Sequence, residues 1–373
     1  MHPFSQMGWI YEKMMKSRSL IRPAMIFIPF ATGFLLPQAA QLQWTIRWAL
    51  IVMLFLACLQ IRFKQLKPKA FHWRVLAANL LIGVLPYWIF HAMGPEYDQL
   101  ALAAFFVGIT PTANAAPVVM AFLNGRVAYV LTGFVITNLF VSLSLFALIP
   151  MVTGQYTFAF AGKVAQSLFL VMGLPIVAAV LLRLFYPRAR EWPAKLGNFS
   201  FSLWSFTLFV IAAVARTHFI ENPDESPLLI LGIAGVSLFL CAISFTTGYL
   251  IGPKRWKREC SQMLGQKNTT LTLYLALTYA NPLVAMGPIC YVLWHNSWNA
   301  FQMFAHEKKR ESKKRKRSGQ SGHARSKKHS GMHHAENQAS VQHQKNADGH
   351  PPAATASSGL PGHPEHSEQK KKP

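Results

Sequence analysis

Gly265-Gln266-Lys267-Asn268-Thr269-Thr270 is the stretch that decides the predicted fold, because it interrupts an apolar segment that runs from about Cys260 to Ala280. A charged group at membrane depth costs about 2.5–3.5 kcal/mol on insertion scales, so it is retained where it faces a protein interior or a water-filled cavity. A second polar interruption, from Thr110 to Pro117, lies in an earlier apolar segment. Two interrupted segments, one in each half of a chain, are the sequence pattern of a transporter binding site.

The composition separates the chain into an apolar part and a polar tail. Of the 373 residues, 52% are hydrophobic and 14% are charged, and the formal net charge is +23. Residues 1–304 contain the long apolar runs, whereas residues 305–373 contain none and are rich in Lys, His, Ser, Gln, Gly and Pro. A segment of that composition cannot bury a core, so residues 305–373 are predicted to form a disordered, basic, His-rich cytoplasmic tail.

The tail and the cysteines indicate which partners to expect. The basic run from Lys308 to Arg317 directly follows the last apolar segment, so anionic lipid head groups are its expected partner and nucleic acid is not. The tail histidines are irregularly spaced and predict no structured metal site. The four cysteines lie in or beside apolar segments and are predicted to be small buried hydrophobes; they are Cys58, Cys241, Cys260 and Cys290.

Ten segments of the apolar part approach the length of about 20 residues that a membrane-spanning helix needs. Their boundaries are roughly 20–40, 44–63, 72–94, 97–123, 127–153, 164–187, 196–219, 226–251, 258–280 and 282–304. The predicted fold class is therefore an all-α polytopic membrane protein, and residues 1–304 form a ten-helix transporter domain. The interruptions fall in the fourth segment of the first five and in the fourth of the second five. Because an odd number of spans inverts the second half, the pattern predicts two inverted five-helix repeats with broken, crossing helices 4 and 9.

The charges of the loops predict an orientation. The N-terminal segment, every second loop and the tail are basic, whereas the intervening loops are poor in Lys and Arg. Cytoplasmic loops carry the excess of Lys and Arg, so both termini are expected to be cytoplasmic. The expected location is the cell membrane, either a plasma membrane or a bacterial inner membrane, with the lipid bilayer as a partner.

A helix that is interrupted inside a membrane leaves backbone groups free to bind ions. The N-terminus of a half-helix offers partial positive charge to an anion, and the C-terminus of a half-helix offers carbonyl oxygens to a cation. Non-helical backbone is tolerated at membrane depth only where it is buried in protein or lines a cavity. If the two breaks cross, their polar residues form a substrate site that consists of Thr112, Asn114, Gln266, Lys267, Asn268 and Thr269.

Ordinary structural roles compete with this interpretation. Pro111 and Pro117 could be simple proline kinks, and Asn114 and Asn268 could make hydrogen bonds between helices. Lys267 could extend its amine to the membrane surface, although it lies some distance beyond the basic loop before the ninth segment.

Three short stretches resemble the bile acid:sodium symporter family. The ninth segment is similar to the family pattern R-x-x-S-x-E-x-G-x-Q-N-S-x-L, with matches at Arg258, Ser261, Gly265, Asn268 and Leu271. The tenth begins with Pro282-Leu283-Val284-Ala285 and contains Trp294-His295-Asn296, and the fourth is similar at Gly108, Pro111, Val118, Asn124-Gly125 and Val127-Ala128. The resemblance implies a panel domain, with helices at about 20–63 and 164–219, and a core domain, with helices at about 72–153 and 226–304.

The sequence departs from the family where the family binds sodium. Met263 stands in place of the glutamate that holds sodium, and Lys267 stands in place of the glutamine that follows it. Ala116 and Pro117 align with a serine–asparagine pair, and Val130 and Phe134 align with hydroxyl residues of the fifth helix. Hard cations need oxygen ligands, so a sodium cofactor is doubtful.

We therefore expect the ammonium of Lys267 to take the electrostatic role of sodium, so that Lys267 and Asn268 are the ion-coupling residues. Its charge would neutralise carbonyl groups at the break and attract an anionic substrate. If Lys267 exchanged a proton during the cycle, the protein would be a proton-coupled carrier, and otherwise it would be a uniporter.

The predicted function is sodium-independent secondary transport of a small organic anion, either bile-acid-like or another carboxylate. One alternative is a sodium-coupled symporter whose ligands are Thr132, Thr137, Asn138 and Asn268. A second alternative is a membrane receptor or scaffold that binds without transporting. An enzyme is not expected, because the spanning region lacks a nucleophile–base pair, a phosphate loop and a metal-ligand cluster. His295 is expected to cap the carbonyls at the cytoplasmic end of helix 10.

Overall fold

The computed structural model describes residues 27–59, 61, 66–306, 308, 309 and 312. The described residues form helices and connecting turns, with no named strand among them. The first helix, α1, spans 27–35, and the last, α14, spans 282–306. The α-helices between them are α2 Trp44–Leu59, α3 Ala70–His91, α4 Asp98–Ile109, α5 Ala116–Phe122, α6 Val127–Thr153, α7 Phe158–Leu168, α8 Leu174–Phe185, α9 Trp192–Lys195, α10 Gly197–Glu221, α11 Pro227–Ile251, α12 Lys257–Gly265 and α13 Thr269–Tyr279.

Within the part of the chain that the structure describes, five helical stretches are long and apolar enough to cross a membrane. They are Ala70–His91, Val127–Thr153, Phe158–Phe185, Phe199–Glu221 and Pro227–Ile251. Helix α2 is apolar but shorter, with 16 residues. The prediction of an all-α protein with membrane helices is confirmed for the described residues.

Each of the ten predicted segments contains helix, and the fourth, the sixth and the ninth each consist of two α-helices. The fourth consists of α4 and α5 with residues 110–115 between them, and the ninth consists of α12 and α13 with residues 266–268 between them. In the sixth segment, a π-helical turn at Phe169–Gly173 joins α7 to α8. The two polar interruptions are therefore non-helical backbone and not simple kinks.

Local residue chemistry explains where the interrupted helices end and begin again. Helix α4 ends because Pro111 disfavours helical geometry in the residue before it, and Thr110 has φ −49° and ψ 125°. Helix α5 begins at Ala116 with Pro117 in its first turn, where a missing N–H costs nothing. After Gly265, Gln266 is extended with φ −85° and ψ 96°.

Glycines bring the interrupted helices unusually close to their neighbours. A Cβ at Gly108 of α4 would lie 2.1 Å from the carbonyl oxygen of Ile82 in α3, and a Cβ at Gly83 would lie 2.7 Å from Cα of Ile109. On the other side, a Cβ at Gly248 of α11 would lie 2.5 Å from the carbonyl oxygen of Cys260 in α12. Small residues allow this close approach of backbones. Helix α4 therefore packs directly against α3, and α12 packs directly against α11.

The cysteines are free, as expected, with Cys58, Cys241 and Cys260 buried and Cys290 half-buried. Contacts divide the chain into Met1–Glu307 and Lys308–Pro373. The predictions of a basic N-terminal segment and of a disordered His-rich tail concern 1–26 and 305–373, which lie almost wholly outside the described residues.

Candidate functional site

The two interruptions pair with each other through their backbones. Thr112 and Lys267 form an isolated antiparallel bridge. On one side of it the N–H of Ala113 donates to the carbonyl oxygen of Gln266 at 2.7 Å, and on the other the N–H of Asn268 donates to that of Pro111 at 2.8 Å. Backbone groups at membrane depth must be paired, and each break here supplies partners for the other.

The side chain of Lys267 is buried, and all of its N–H groups make hydrogen bonds. It is 1% exposed, and its Nζ donates to Oδ1 of Asn79 at 2.7 Å, to the carbonyl oxygen of Gly108 at 2.8 Å and to that of Thr110 at 3.1 Å. An ammonium group has three N–H donors, and all three are occupied by neutral oxygen atoms. Lys267 therefore does not reach a membrane surface, and it presents no free N–H to a ligand in this structure.

Lys267 and Asn79 together satisfy the C-terminus of α4. The last carbonyl groups of a helix have no partner within the helix and carry partial negative charge. Lys267 bonds those of Gly108 and Thr110, and Nδ2 of Asn79 donates to that of Ile109 at 2.9 Å. The carbonyl oxygens that a broken helix could offer to a soluble cation are thus bonded to a cationic side chain and its amide neighbour.

The C-terminus of α12 is satisfied in a reciprocal way from the other break. Oγ1 of Thr112 donates to the carbonyl oxygen of Met263 at 2.6 Å. Met263 precedes Lys267 by four residues, just as Gly108 precedes Thr112 by four, so each bridge residue caps the helix that leads to its partner. Threonine is too short to reach a second carbonyl group, and the hydroxyl of Tyr291 in α14 donates to that of Gly265 at 2.8 Å.

Helix α6 supports the paired interruptions, residues 110–115 and 266–268, which are called the crossing from here on. Oγ1 of Thr137 donates to Oγ1 of Thr112 at 2.9 Å, and Nδ2 of Asn138 donates to the carbonyl oxygen of Thr112 at 2.8 Å. Oδ1 of Asn138 is buried and has no hydrogen-bond partner among the described residues.

The alternative sodium ligands are not all brought together. Thr137 and Asn138 lie at the crossing and Asn268 is half-buried beside it. Thr132 instead bonds the carbonyl oxygen of Ala128 and accepts the N–H of Lys67. The four residues therefore form no common oxygen shell in this structure.

Met263, which aligns in sequence with a glutamate of the resembled family, is buried in apolar surroundings. It is 1% exposed, and a Cβ at Gly133 of α6 would lie 2.0 Å from its Sδ. Its buried neighbours include Val130 and Cys260 in one apolar cluster. A thioether packed among apolar side chains is a poor ligand for a hard cation.

No acidic side chain in the described part of the chain pairs with Lys267. The ion pairs found there are His91–Asp98, Lys195–Glu191 and His218–Glu225. The remaining described acids lie outside the crossing as well; they are Glu96, Glu221, Asp224 and Glu259. The positive charge of Lys267 is therefore balanced only by the dipoles of neutral groups.

The six predicted substrate residues gather at the crossing but differ in accessibility. Asn114 is exposed and Asn268 is half-buried, and neither amide side chain has a hydrogen bond in the described structure. The others are buried; they are Thr112, Gln266, Lys267 and Thr269. Two free amides are therefore the groups that a ligand would meet first.

Gln266 belongs to a buried amide network behind the crossing. Nδ2 of Asn299 in α14 donates to its Oε1, and Nε2 of Gln262 donates to Oδ1 of Asn299 at 2.8 Å. These bonds engage the side-chain oxygen of Gln266 within the protein, and the residue is buried.

The prediction that His295 caps the end of its helix is wrong. Helix α14 continues to residue 306, so His295 lies within it, 3% exposed and packed edge-on against Tyr291. Its Nδ1 has no hydrogen-bond partner among the described residues.

Sequence reasoning also missed Asn79, Tyr291 and Asn299, which hold the crossing from other helices. Asn79 is a lone amide in the apolar run Val75–Ile82, and a lone amide in such a run is a detectable signal of a polar partner.

In the described residues, no three His, Cys, Asp or Glu side chains lie together as a metal site would require. A search against known protein families and against curated proteins finds no match for the chain.

Proposed function

We propose that the protein is a secondary transporter of a small organic anion, independent of sodium, in which the ammonium of Lys267 stands in place of a sodium ion. One observation carries the proposal. A buried ammonium, with no acidic partner among the residues that the structure describes, lies where two interrupted helices pair, and it bonds the carbonyl oxygens that a cation would otherwise hold. The resemblance of the fourth, ninth and tenth segments to bile acid:sodium symporters supports the same function.

The proposed architecture is ten spans in two inverted repeats, with a panel and a core domain. The reciprocal capping by Thr112 and Lys267 supports an inverted repeat, because a two-fold relation between the breaks predicts equivalent bonds. The alternation of basic and non-basic loops supports a multi-pass protein of the cell membrane with both termini in the cytoplasm.

The exposure of Asn114 supports a water-filled cleft that reaches the crossing. Asn114 belongs to non-helical backbone between α4 and α5, and it is exposed. Irregular backbone does not face lipid within the hydrocarbon region, and it is tolerated where it lines a cavity. A cleft at this point gives a substrate access to the free amides of Asn114 and Asn268.

The charge of Lys267 favours an anionic substrate without direct contact. Two unit charges about 8 Å apart attract by about 2 kcal/mol at an effective dielectric constant of about 20. The accessible amides supply donors for a carboxylate or a sulfonate. We therefore assign attraction to Lys267 and hydrogen bonding to Asn114 and Asn268.

Sodium coupling is disfavoured because its ligands are engaged or replaced. The oxygen atoms of Asn79, Gly108 and Thr110 accept from Lys267, and Met263 brings a sulfur atom in place of a carboxylate. A sodium ion beside Lys267 would also meet its positive charge at close range.

Uptake into proteoliposomes tests the proposal, with cholate, taurocholate and benzoate as labelled probes. We expect uptake of at least one probe to be unchanged when choline replaces sodium. Loss of the attraction in Lys267→Gln should reduce that uptake about tenfold or more. Lys195→Gln is the matched control, because Lys195 is 72% exposed and should leave uptake intact.

Uptake that requires sodium would overturn the proposal, and so would a protein that binds these anions without moving them. The second outcome is what a receptor or scaffold would give.

A further inference from the structure

We propose that the protein binds the phosphate group of an anionic phospholipid between Lys69 and Arg255, on a basic surface where three of its apolar helices begin or end. The site is separate from the basic tail, and the proposal does not rest on the proposed transport function. It follows from the contacts of these cations, from the charges around them and from their place along the helices.

Two cations from separate loops lie beside one aromatic side chain. Nζ of Lys69 lies 4.1 Å from the ring centroid of Trp256, and Cζ of Arg255 lies 5.9 Å from the same centroid. Lys69 directly precedes α3, whereas Arg255 lies between α11 and α12. Both cations are exposed, and the half-buried ring of Trp256 packs on Tyr129 of α6 at 4.5 Å. Because an aromatic ring attracts cations, Trp256 brings the charges of two loops close together.

Further cations surround this pair. The N–H of Arg126, which directly precedes α6, donates to Oε1 of Glu259 at 3.0 Å. Nη1 of Arg258 in α12 donates to the carbonyl oxygen of Leu123 at 3.3 Å. The starts of α6 and α12 are therefore in contact beside Trp256. The cations of this region are called the basic surface; they are Lys69, Arg126, Arg255, Lys257 and Arg258.

The positive charge of the basic surface is not balanced by ion pairs. No ion pair between described residues includes any of its five cations. Glu259 does lie beside them, but it is buried and one of its oxygen atoms accepts the backbone N–H of Arg126. A surface with such an excess of one charge favours a partner of the opposite charge, so the expected ligand is an anion.

The basic surface lies at the ends of three helices that are long and apolar enough to cross a membrane. Two of them, Ala70–His91 and Val127–Thr153, begin directly after Lys69 and Arg126, and the third, Pro227–Ile251, ends four residues before Arg255. Cations at the end of a spanning helix lie at the level of the lipid head groups, where the phosphate groups of anionic lipids attract them.

Exposed apolar side chains continue from the basic surface along the same helices. Trp73 is exposed in the first turn of α3, and Tyr249 and Leu250 are exposed in the last turn of α11. Nζ of Lys257 lies 4.9 Å from the ring centroid of Tyr249, so charge and apolar surface are adjacent. A phospholipid offers a phosphate group to the cations and acyl chains to the apolar side chains. A soluble phosphate offers only the first, so the combination favours a lipid.

A lipid bound here would act on the crossing through the helices that support it. Helix α3 carries Asn79, α6 carries Asn138 and α12 carries Met263, and each of these residues makes a hydrogen bond at the crossing. A phosphate group held by Lys69 and Arg255 would connect the loop before α3 to the loop before α12. Because a ligand of the folded state stabilises that state, the lipid should raise the melting temperature.

Thermal unfolding in micelles of a neutral detergent tests the site without any transported substrate. The probes are phosphatidylglycerol, phosphatidylcholine and glycerol 3-phosphate at equal concentrations of phosphate. Phosphatidylcholine has no net charge, and glycerol 3-phosphate has no acyl chains. We expect phosphatidylglycerol to raise the melting temperature of the parent protein in a saturable way, and the other two probes to leave it unchanged.

The variant Lys69→Gln with Arg255→Gln removes the two cations beside Trp256. We expect its half-saturating concentration of phosphatidylglycerol to be about tenfold higher or more. Arg188→Gln with Arg190→Gln is the matched control, because it removes the same charge from two exposed residues that follow the apolar stretch Phe158–Phe185. Those charges belong to another loop, and salt screens exposed charges at a distance, so the control should stay within about threefold of the parent.

Three outcomes overturn the proposal. Equal weakening in the two double variants shows a diffuse attraction to basic loops and not a site at Lys69 and Arg255. An equal rise with phosphatidylcholine or with glycerol 3-phosphate shows that the charged lipid is not what is recognised. No rise with phosphatidylglycerol in the parent protein shows that there is no site, and this result needs no variant. Because none of these measurements involves transport, failure of the proposed function is recognised separately, by absent uptake of the probe anions.

Discussion

Lys267→Met is expected to lower the free energy of unfolding by at least about 3 kcal/mol, because it leaves three buried acceptors without a donor and each costs about 1–3 kcal/mol. The acceptors are Oδ1 of Asn79 and the carbonyl oxygens of Gly108 and Thr110. Methionine keeps most of the length and volume of lysine, so the loss reports the hydrogen bonds and the charge and not a cavity. Thermal unfolding in detergent measures it.

Lys195→Met is the control for that substitution. Lys195 is 72% exposed and pairs with Glu191 at 3.4 Å, and a surface pair of this kind contributes about 1 kcal/mol or less. If Lys267→Met unfolded at the same temperature as Lys195→Met, the carbonyl groups at the end of α4 would have found other partners, and Lys267 would not stabilise the crossing.

Gly108→Ala should have the second largest effect, because the new methyl group meets backbone and not a movable side chain. Its Cβ would lie 2.1 Å from the carbonyl oxygen of Ile82 and 2.7 Å from Cα of Gly83. Helices α3 and α4 must separate, and this draws Asn79 away from Ile109 and Lys267. Overpacking costs about 1–3 kcal/mol, and the strained hydrogen bonds add to that cost.

Gly162→Ala is its matched control, since a Cβ at Gly162 of α7 has no atom within 4 Å. Alanine is the better helix former by about 1 kcal/mol, so this variant should be as stable as the parent or slightly more stable. The melting temperatures of the two variants should therefore move in opposite directions. Equal melting temperatures would mean that α3 and α4 are not in backbone contact at Gly108.

The breaks could be predicted from the sequence because their signals are local. A lysine and two prolines within apolar runs indicate a buried polar site and an interrupted helix without reference to the rest of the chain. The pairing of the breaks followed from their equivalent places in the two halves. The structure adds which atoms are in contact. The antiparallel bridge between Thr112 and Lys267 shows that the two interruptions pair through their backbones.

The partners of the site could not be predicted, because they come from distant helices. Asn79 is 188 positions from Lys267 in the chain, and periodicity within a single apolar helix does not specify its neighbour. The same limitation explains the wrong prediction for His295, because its capping role depended on where α14 ends. It also explains why the sequence predicts Lys267 as a substrate-binding residue, whereas its N–H groups are all engaged within the protein.

These contacts give the residues of the crossing different roles. Lys267 secures one broken helix and supplies charge, Thr112 and Tyr291 secure the other, and the accessible amides of Asn114 and Asn268 remain for a ligand.

Cation rescue of Lys267→Ala tests most directly whether the ammonium of Lys267 occupies a cation site. The variant should retain three oxygen atoms around an empty space that a small cation can enter. We expect ammonium or sodium chloride, against choline chloride at equal ionic strength, to raise its melting temperature in a saturable way. Stabilisation would reach about 2.7 kcal/mol at a concentration 100 times the dissociation constant.

The parent protein and Lys267→Met should show no such rise, because a side chain fills the space in each. Equal melting temperatures of Lys267→Ala in choline, sodium and ammonium would contradict the account, since the oxygen atoms around Lys267 would then have no affinity for a cation.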